Sequence, residues 1–356
     1  MADLEMLKKI SLVNGVSGYE KQATRLMKSY IEDCVDDIQY DQLGSLIGIK
    51  KGTGSIKLLL TGHVDEIGFL VKDIDEKGYI SVQPVGAWVG QNLPSSLMNI
   101  TTRSQREIKG VFAPVIPHGQ SAESKNSIVD PTQACLDIGV LNKAEALDLG
   151  ICKGDPITPV SEFTIMGNPK CLMSKAWDNR IGVAVIIEVL RQLKGKDIVP
   201  TLYGAGTVQE EVGLRGAKTV GQMVKPDIAI AIDVTLSQDG PQDKGDVKLG
   251  SGVALSVMDG SVIAHTGLLH ALEKICHEHK IAYQLDMMSA GGTDSGELSK
   301  VEAGVINMTL SLPSRYMHSH RTIIHIDDFD ATVQLLVAFI QTLDEKLWNE
   351  MIEEKR

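Results

Sequence analysis

Two adjacent glutamates, Glu210 and Glu211, stand in Thr207-Val-Gln-Glu-Glu-Val-Gly-Leu-Arg-Gly-Ala217, where an apolar strand runs out into a glycine-punctuated turn. Neighbouring side chains on an extended backbone point to opposite sides, so the pair suits two different jobs. One carboxylate can hold a cation while the other faces a water and takes its proton. An isolated Glu-Glu is ordinarily a solvated surface pair, but four other segments alter that expectation. The apolar run Lys57-Leu-Leu-Leu-Thr61 is followed by His63 and Asp65, Ile228–Ile232 by Asp233, and Val305–Leu312 by Pro313-Ser-Arg-Tyr-Met-His318. Asp178 opens an apolar stretch in Ser174-Lys-Ala-Trp-Asp-Asn-Arg180.

In an open, mostly parallel sheet, ligands bind beyond the carboxyl ends of the strands, so these residues predict one crowded site. Carboxylates this close raise one another's pKa unless cations neutralise them. Imidazole and carboxylate donors without a nearby cysteine suit zinc, cobalt or manganese rather than a structural thiolate zinc. Two metals roughly 3.5–4 Å apart, sharing a bridging carboxylate, would activate water and polarise a carbonyl. The rival reading is a set of unrelated surface acids and loop histidines, and spacing by itself leaves both open.

The elements that must position these groups alternate in type. Leu4 to Val13 and Glu20 to Cys34 read as amphipathic helices, Leu46 to Lys50 as a short strand, and Lys57 to Thr61 as a strand buried on both faces. From 67 to 164, short β-like runs alternate with Gly, Pro and polar turns, with one helix near Lys143 to Leu149. That texture predicts a small inserted β-barrel or sandwich. Within it, 118–130 reads as a mobile, polar loop. The α/β pattern resumes with a buried helix at Ile181 to Leu193, a strand at Thr201 to Val208, and a short helix at Gly216 to Met223. Val262 to Lys280 and Asp327 to Trp348 read as long helices. The expected class is therefore α/β, a mixed and mostly parallel sheet flanked by helices. The domains are 1–66 with 165–356, interrupted by 67–164.

With 356 residues, 43% of them hydrophobic, the chain can bury a large core. Its 46 acidic against 35 basic residues give a formal charge of -11, which argues against nucleic acid and anionic membranes as partners. Five scattered cysteines without CxxC spacing, no signal-like N-terminus and no membrane-length apolar run lead to the expectation of a soluble cytoplasmic protein.

The segments Gly62-His-Val-Asp-Glu-Ile-Gly-Phe69, Ala176-Trp-Asp-Asn-Arg180, Gln209-Glu-Glu-Val-Gly-Leu-Arg-Gly-Ala217, Asp233-Val-Thr235, Gly291-Gly-Thr-Asp294 and Arg315-Tyr-Met-His-Ser319 occur in this order from near the start to near the end of the chain. Together they resemble the M42 family of metallo-aminopeptidases, which includes glutamyl aminopeptidase and the tetrahedral aminopeptidases. The resemblance implies a zinc-exopeptidase-like catalytic domain with an inserted, PDZ-like β domain used in oligomerisation. It implies two divalent metal ions, zinc or cobalt with manganese as a third candidate. Asp178 would bridge them, His63 and Asp233 completing one shell and Glu211 and His318 the other. Glu210 would be the general base, and Asp65 would orient the His63 imidazole through its second nitrogen. Peptides would be the substrates, and self-association as dimers or a dodecamer is implied.

Thr293, Asp294, Arg315 and Tyr316 are candidates for the substrate pocket. Ala176-Trp-Asp-Asn-Arg180 is similar to glutamyl members, which implies a glutamyl or aspartyl preference. The alternatives are a related deacylase or carboxypeptidase, a glucanase working through two carboxylates without metal, or a scaffold with a dead site. The 118–130 loop is a candidate to reach a neighbouring subunit's active site. Cys276-His277-Glu278-His279 reads as helix surface rather than a metal tract, as do His265 and His270. His320 and His325 read as structural, and Trp88 as packing.

Overall fold

The structure, a computed structural model, describes residues 3–114, 128–241 and 243–355. The chain opens with α1 (Leu4–Leu12) and α2 (Lys21–Ile31), then lays down β1 (Asp37–Tyr40), β2 (Leu46–Lys50) and β3 (Lys57–His63). Six strands follow: β4 (Gly68–Ile74), β5 (Ile80–Val85), β6 (Leu97–Thr101), β7 (Glu107–Phe112), β8 (Cys135–Asp137) and β9 (Pro156–Pro159), with α3 (Lys143–Asp148) between the last two. They close into a barrel of order β4-β5-β8-β7-β6-β9, every pair antiparallel. The β texture thus resolves into a barrel rather than a sandwich. Phe69, Val82, Ile100, Phe112, Leu136 and Ile157 fill its interior. Trp88 is packing: it stacks on Phe69 at 4.8 Å and donates its indole N–H to the Gly68 carbonyl at 2.9 Å. Residues 118–127 of the expected mobile loop lie outside the described residues.

After the barrel come β10 (Thr164–Ile165) and β11 (Cys171–Ser174), then α4 (Trp177–Leu193), β12 (Thr201–Thr207), α5 (Arg215–Val224) and β13 (Ile228–Leu236). The remainder is β14 (Val253–Met258), α6 (Thr266–His279), β15 (Tyr283–Met287), α7 (Ser295–Leu298), β16 (Ile306–Ser314), β17 (Thr322–His325), α8 (Ile326–Thr342) and α9 (Glu345–Lys355). One eight-stranded sheet, β1-β2-β12-β3-β13-β16-β14-β15, carries the molecule, and β12, β3, β13 and β16 at its centre run parallel. Every residue of β16 and all but the last of β13 are buried. These strands read as near-continuous apolar runs because helices cover both faces. Leu58, Leu60, Ile230 and Ile232 meet α4, α6 and α8 on one face; Leu59, Ala205 and Ala229 meet α5 and α7 on the other.

Two long helices differ from their sequence reading. Val262 to His265 is not helical, because Ala264 donates to the Val257 carbonyl and Asp259 to that of Val262. The segment from Asp327 to Trp348 divides at Leu343, whose extended backbone ends α8; Asp344 then accepts the Leu347 N–H at 2.8 Å and starts a new helix.

Candidate metal centre

Parallel pairing sets the height of each functional residue. Thr207 is level with His63 and Ala231 with Thr61, which brings the ends of β12, β3 and β13 to one edge of the sheet. Asp233 is level with Ser311, so the chain leaving β16 reaches the same edge four residues before His318. α4 begins at that edge too. Asp178 and Asn179 lie inside it with non-helical backbone angles, and the Asn179 side chain ties down the kink by donating to the Ile232 carbonyl at 2.7 Å and accepting the Gly182 N–H at 3.0 Å.

At this edge His63, Asp178, Glu210, Glu211, Asp233 and His318 converge. His63 Nε2 lies 3.1 Å from Asp178 Oδ1, 3.7 Å from Glu210 Oε2 and 3.9 Å from Asp233 Oδ1. His318 Nε2 lies 3.2 Å from Asp178 Oδ2 and 3.8 Å from Glu211 Oε2. Asp178 therefore offers one oxygen to each imidazole. Donor atoms of His63, Glu210 and Asp233 lie within 4.8 Å of one another, as do those of His63, Asp178 and Glu211.

The turn that carries the glutamate pair is shaped by backbone hydrogen bonds. Gly213 and Leu214 N–H groups both donate to the Glu210 carbonyl at 2.9 Å, and Gly216 donates to Val208. Glycine is required at two points: Gly213 has φ +119, and a Cβ on Gly216 would fall 2.4 Å from the Val208 oxygen. Asp65, fully buried, holds the turn from below. Its Oδ1 accepts the Glu210 N–H at 3.0 Å, and its Oδ2 accepts the Glu211 N–H at 3.1 Å and the Ser17 hydroxyl at 2.6 Å. The nearer partner of His63 Nδ1 is the Asp65 backbone carbonyl at 3.1 Å, with the carboxylate Oδ1 at 3.5 Å. A proton on Nδ1 facing these acceptors leaves the Nε2 lone pair free for a ligand.

Electrostatics reflects the crowding. Burial disfavours ionised His63, but Glu210, Asp178 and Asp65 outweigh it and lift its pKa well above the usual value. Burial likewise opposes a charged His318, yet Asp178 and Glu211 bring it up to about 9. Burial also opposes ionisation of Asp178, whose hydrogen bonds to the two imidazoles nevertheless hold it well below the carboxylate range. Glu211 is pushed up to about 8 by burial and by Asp178; burial and neighbouring charges raise Glu210 and Asp233 strongly. These carboxylates cannot all be anionic together without added positive charge. The donor set of two imidazoles and four carboxylates, with no thiol, fits borderline divalent ions of the zinc, cobalt and manganese type.

The remaining pocket candidates fall differently. Thr293 and Asp294 are buried: the Thr293 hydroxyl bonds Asp259 and Thr309, and Asp294 accepts from Thr207 at 2.7 Å. Arg315 is held in bidentate fashion by Asp239 at 3.0 and 2.7 Å, and Tyr316 is 54% exposed beside the site. Glu66, Ile67, Pro159, Ala176, Ser319 and Thr322 complete the wall around Asp178, Glu211 and His318. A larger cavity of about 870 Å³, between α2 and the barrel, contains none of the six converging donors. Cys276 is buried in the core, while His277 packs on Tyr283 and His270 pairs with Glu354. Sequence reading missed Ser17, Asn179 and the buried Glu66, Lys175 and Arg180. Glu66, Asn179 and Arg180 stand inside the segments that carry the family resemblance, but with no role read for them, and Ser17 and Lys175 left no signal.

Comparison with known proteins bears on the family and the fold. The model of the M42 glutamyl aminopeptidase family matches residues 44–335. The glutamyl aminopeptidase of Lactococcus lactis is 32% identical, covering 96% of each chain. The lysyl aminopeptidase of Pyrococcus furiosus is 31% identical, over 96% of this chain and 98% of that one. Among solved structures, a TET aminopeptidase from a marine sediment thaumarchaeote superposes with TM-score 0.95 at 33% identity, covering 98% of both chains. The Pyrococcus horikoshii TET1 peptidase, described as assembling into a tetrahedron or an octahedral shell, matches with TM-score 0.87 and 31% identity, over 96% of this chain and 99% of its own. Since both the sheet that gathers the donors and the barrel set into it are shared over nearly full length, the chain belongs to the M42 family of aminopeptidases.

Proposed function

We propose that the chain is a dinuclear metal-dependent aminopeptidase that removes N-terminal residues from peptides. The observation that carries the reading is Asp178, whose two oxygens lie 3.1 and 3.2 Å from different imidazoles. His63, Asp233 and Asp178 would hold one ion, and His318, Glu211 and Asp178 the other. Bound there, zinc, cobalt or manganese would supply Lewis acidity toward the scissile carbonyl. Glu210, one of the six converging donors but assigned to neither shell, would take a proton from the attacking water and return it to the leaving amine. The Asp65 carboxylate keeps Glu210 and Glu211 on their respective sides by holding both N–H groups.

In this reading the barrel, with 67–164 as its limits, is an oligomerisation domain inserted into a catalytic domain of 1–66 and 165–356. Self-association, as dimers and a dodecamer in this reading, is supported for the larger assembly by the dodecamer and the tetrahedral or octahedral shells described for TET1 peptidases. A cytoplasmic setting is supported by five unpaired cysteines. A glutamyl or aspartyl preference would draw on Arg315, three residues before His318, although Asp239 already neutralises it. Hydrolysis of an aminoacyl-p-nitroanilide panel, before and after chelation and with Co²⁺ or Zn²⁺ restored, tests the whole reading. Activity should vanish and return with metal. Cleavage of amine-blocked substrates only would instead mean a deacylase or carboxypeptidase, and chelation-resistant glucan hydrolysis a glucanase.

A further inference from the structure

Below the donor cluster lies a charged assembly that ligates nothing. Lys175 is 2% exposed and Arg180 0%. Lys175 Nζ donates to both oxygens of Glu66, at 2.8 and 3.0 Å, and to Asn14 Oδ1 at 2.9 Å. Glu66 Oε1 also accepts the Gly15 N–H at 3.0 Å and faces Arg180 Nη2 at 3.8 Å. Arg180 Nη1 donates to the carbonyls of Ile10 and Val13, both at 2.9 Å, at the end of α1. Asn14 turns its amide N–H to Glu107 Oε1, on barrel strand β7, at 3.1 Å.

Stability is a poor explanation for this arrangement. A buried ion pair seldom outperforms apolar groups of the same volume, since desolvation offsets its attraction. Its place in the chain is more informative. Glu66 directly follows Asp65 and lies two residues before β4, where the barrel begins. Lys175 lies three residues before Asp178, and Arg180 two after it. Between them Ala176 has left-handed backbone (φ +53) and makes no side-chain cap for α4. The helix start that presents Asp178 is therefore held by the Asn179 side chain, which accepts the Gly182 N–H, and flanked on both sides by these buried cations.

We propose that the Glu66–Lys175 pair, backed by Arg180 and Asn14, is a positioning strut. It sets Asp178 opposite His63 and fastens the barrel to the same point. The strut rests on the two-metal reading above, because positioning Asp178 matters only if that carboxylate is shared. Lys175 touches neither substrate nor metal in this account, and Glu66, although it borders the pocket, turns both carboxylate oxygens to Lys175.

The test compares E66Q, K175M and the double variant E66Q/K175M with the parent. E66Q leaves Lys175 and Arg180 without their carboxylate and should lower the melting midpoint of the metal-free protein most; K175M leaves Glu66 opposite Arg180 alone and should lower it less. The double variant returns the assembly to the parent's net charge of one cation, now carried by Arg180, and should recover part of the midpoint lost in E66Q. Co²⁺ titration of the metal-free proteins, followed by visible absorption, is the decisive readout. The double variant should bind Co²⁺ about 10–100-fold more weakly, the range found when groups behind metal ligands are changed. Its kcat at saturating metal should fall with KM little moved. If Co²⁺ affinity and kcat recover together with the midpoint, the pair is merely structural and the proposal fails. Asn14→Ala, which leaves the ion pair intact, guards against a double variant that does not fold. It should weaken Co²⁺ binding several-fold, and an unchanged titration would overturn the link to the barrel. A parent that takes up no Co²⁺ would overturn the two-metal reading and the strut with it, and that result is read on the parent alone.

Discussion

Asp65→Asn probes the site through a residue that needs to touch neither substrate nor metal. The carboxylate accepts the Glu210 N–H at 3.0 Å, the Glu211 N–H at 3.1 Å and the Ser17 hydroxyl at 2.6 Å, all in full burial. An asparagine of the same shape keeps one acceptor oxygen for one of the two N–H groups. Its amide nitrogen must then face the Glu210 N–H, donor against donor, or else the Glu211 N–H together with Ser17, whose hydroxyl alone can rotate to accept. One charge-assisted bond is lost, worth about 1.5–3 kcal/mol, and one buried N–H is left facing a donor, at about 1–3 kcal/mol. Relaxation of the turn overlaps the two losses, so about 2–4 kcal/mol is expected in total. At about 2.1 cal/mol/K per residue, that destabilisation lowers the melting midpoint of this chain by only a few degrees. The larger effect is on chemistry. Freed from below, the Gln209–Glu211 turn shifts outward, and misplacement of reacting groups by about 1 Å can lower turnover about 100-fold. The assay is kcat at saturating Co²⁺ together with a thermal melt of the chelated protein. A variant that melts a few degrees lower yet keeps full kcat would refute the claim that Asp65 positions the glutamate pair. A variant unchanged in both would refute the hydrogen-bond assignment itself.

Glu210→Gln should retain metal while kcat falls about 10²–10⁴-fold, the usual loss on removing a positioned acid/base; full activity would remove Glu210 from the mechanism. Arg315→Ala should lower kcat/KM for glutamyl and aspartyl substrates more than for lysyl ones, and an equal loss on all three would dismiss Arg315 as a specificity determinant. Asp328 gives a pH prediction away from the candidate metal centre. Burial pushes its carboxyl up to about 7, against the opposing N–H groups of Gly250 and Gly252. Because the folded value is raised, its contribution is fully present below the unfolded value of 3.8 and is lost as pH rises through about 7. With about 1.4 kcal/mol per unit, the parent should lose roughly 4 kcal/mol relative to Asp328→Asn across that window. Denaturant unfolding of both proteins from acid to neutral pH checks it, and parallel stability curves would discard the assignment.

The residues that could be read from sequence are those whose position follows from strand direction alone. An apolar run such as Ile228–Ile232 announces a strand covered on both faces, and the parallel arrangement then carries whatever follows it to one edge. His63, Asp233, Glu210 and Glu211 were legible for that reason, and His318 because β16 ends near it. Asp178 was legible as an acid opening an apolar helix. The same logic fails wherever a side chain's partner is chosen by tertiary contact. Glu66 and Arg180 lie in segments that carry the family resemblance, but nothing local shows that they and Lys175 are buried and meet across segments more than a hundred residues apart. Thr293 and Asp294 sit in a glycine-rich turn that suits a binding loop equally well, and only the packing against Thr309 and Thr207 turns their side chains inward. The β14 strand, Val253–Met258, lacks a distinctive local pattern and becomes a strand through its pairing with β15 and β16. What sequence leaves obscure is therefore the support rather than the converging donors. An imidazole or carboxylate that binds metal must be of a given type, so its chemistry survives in the pattern. A supporting contact needs only a donor and an acceptor at the right distance, and many residue pairs supply that.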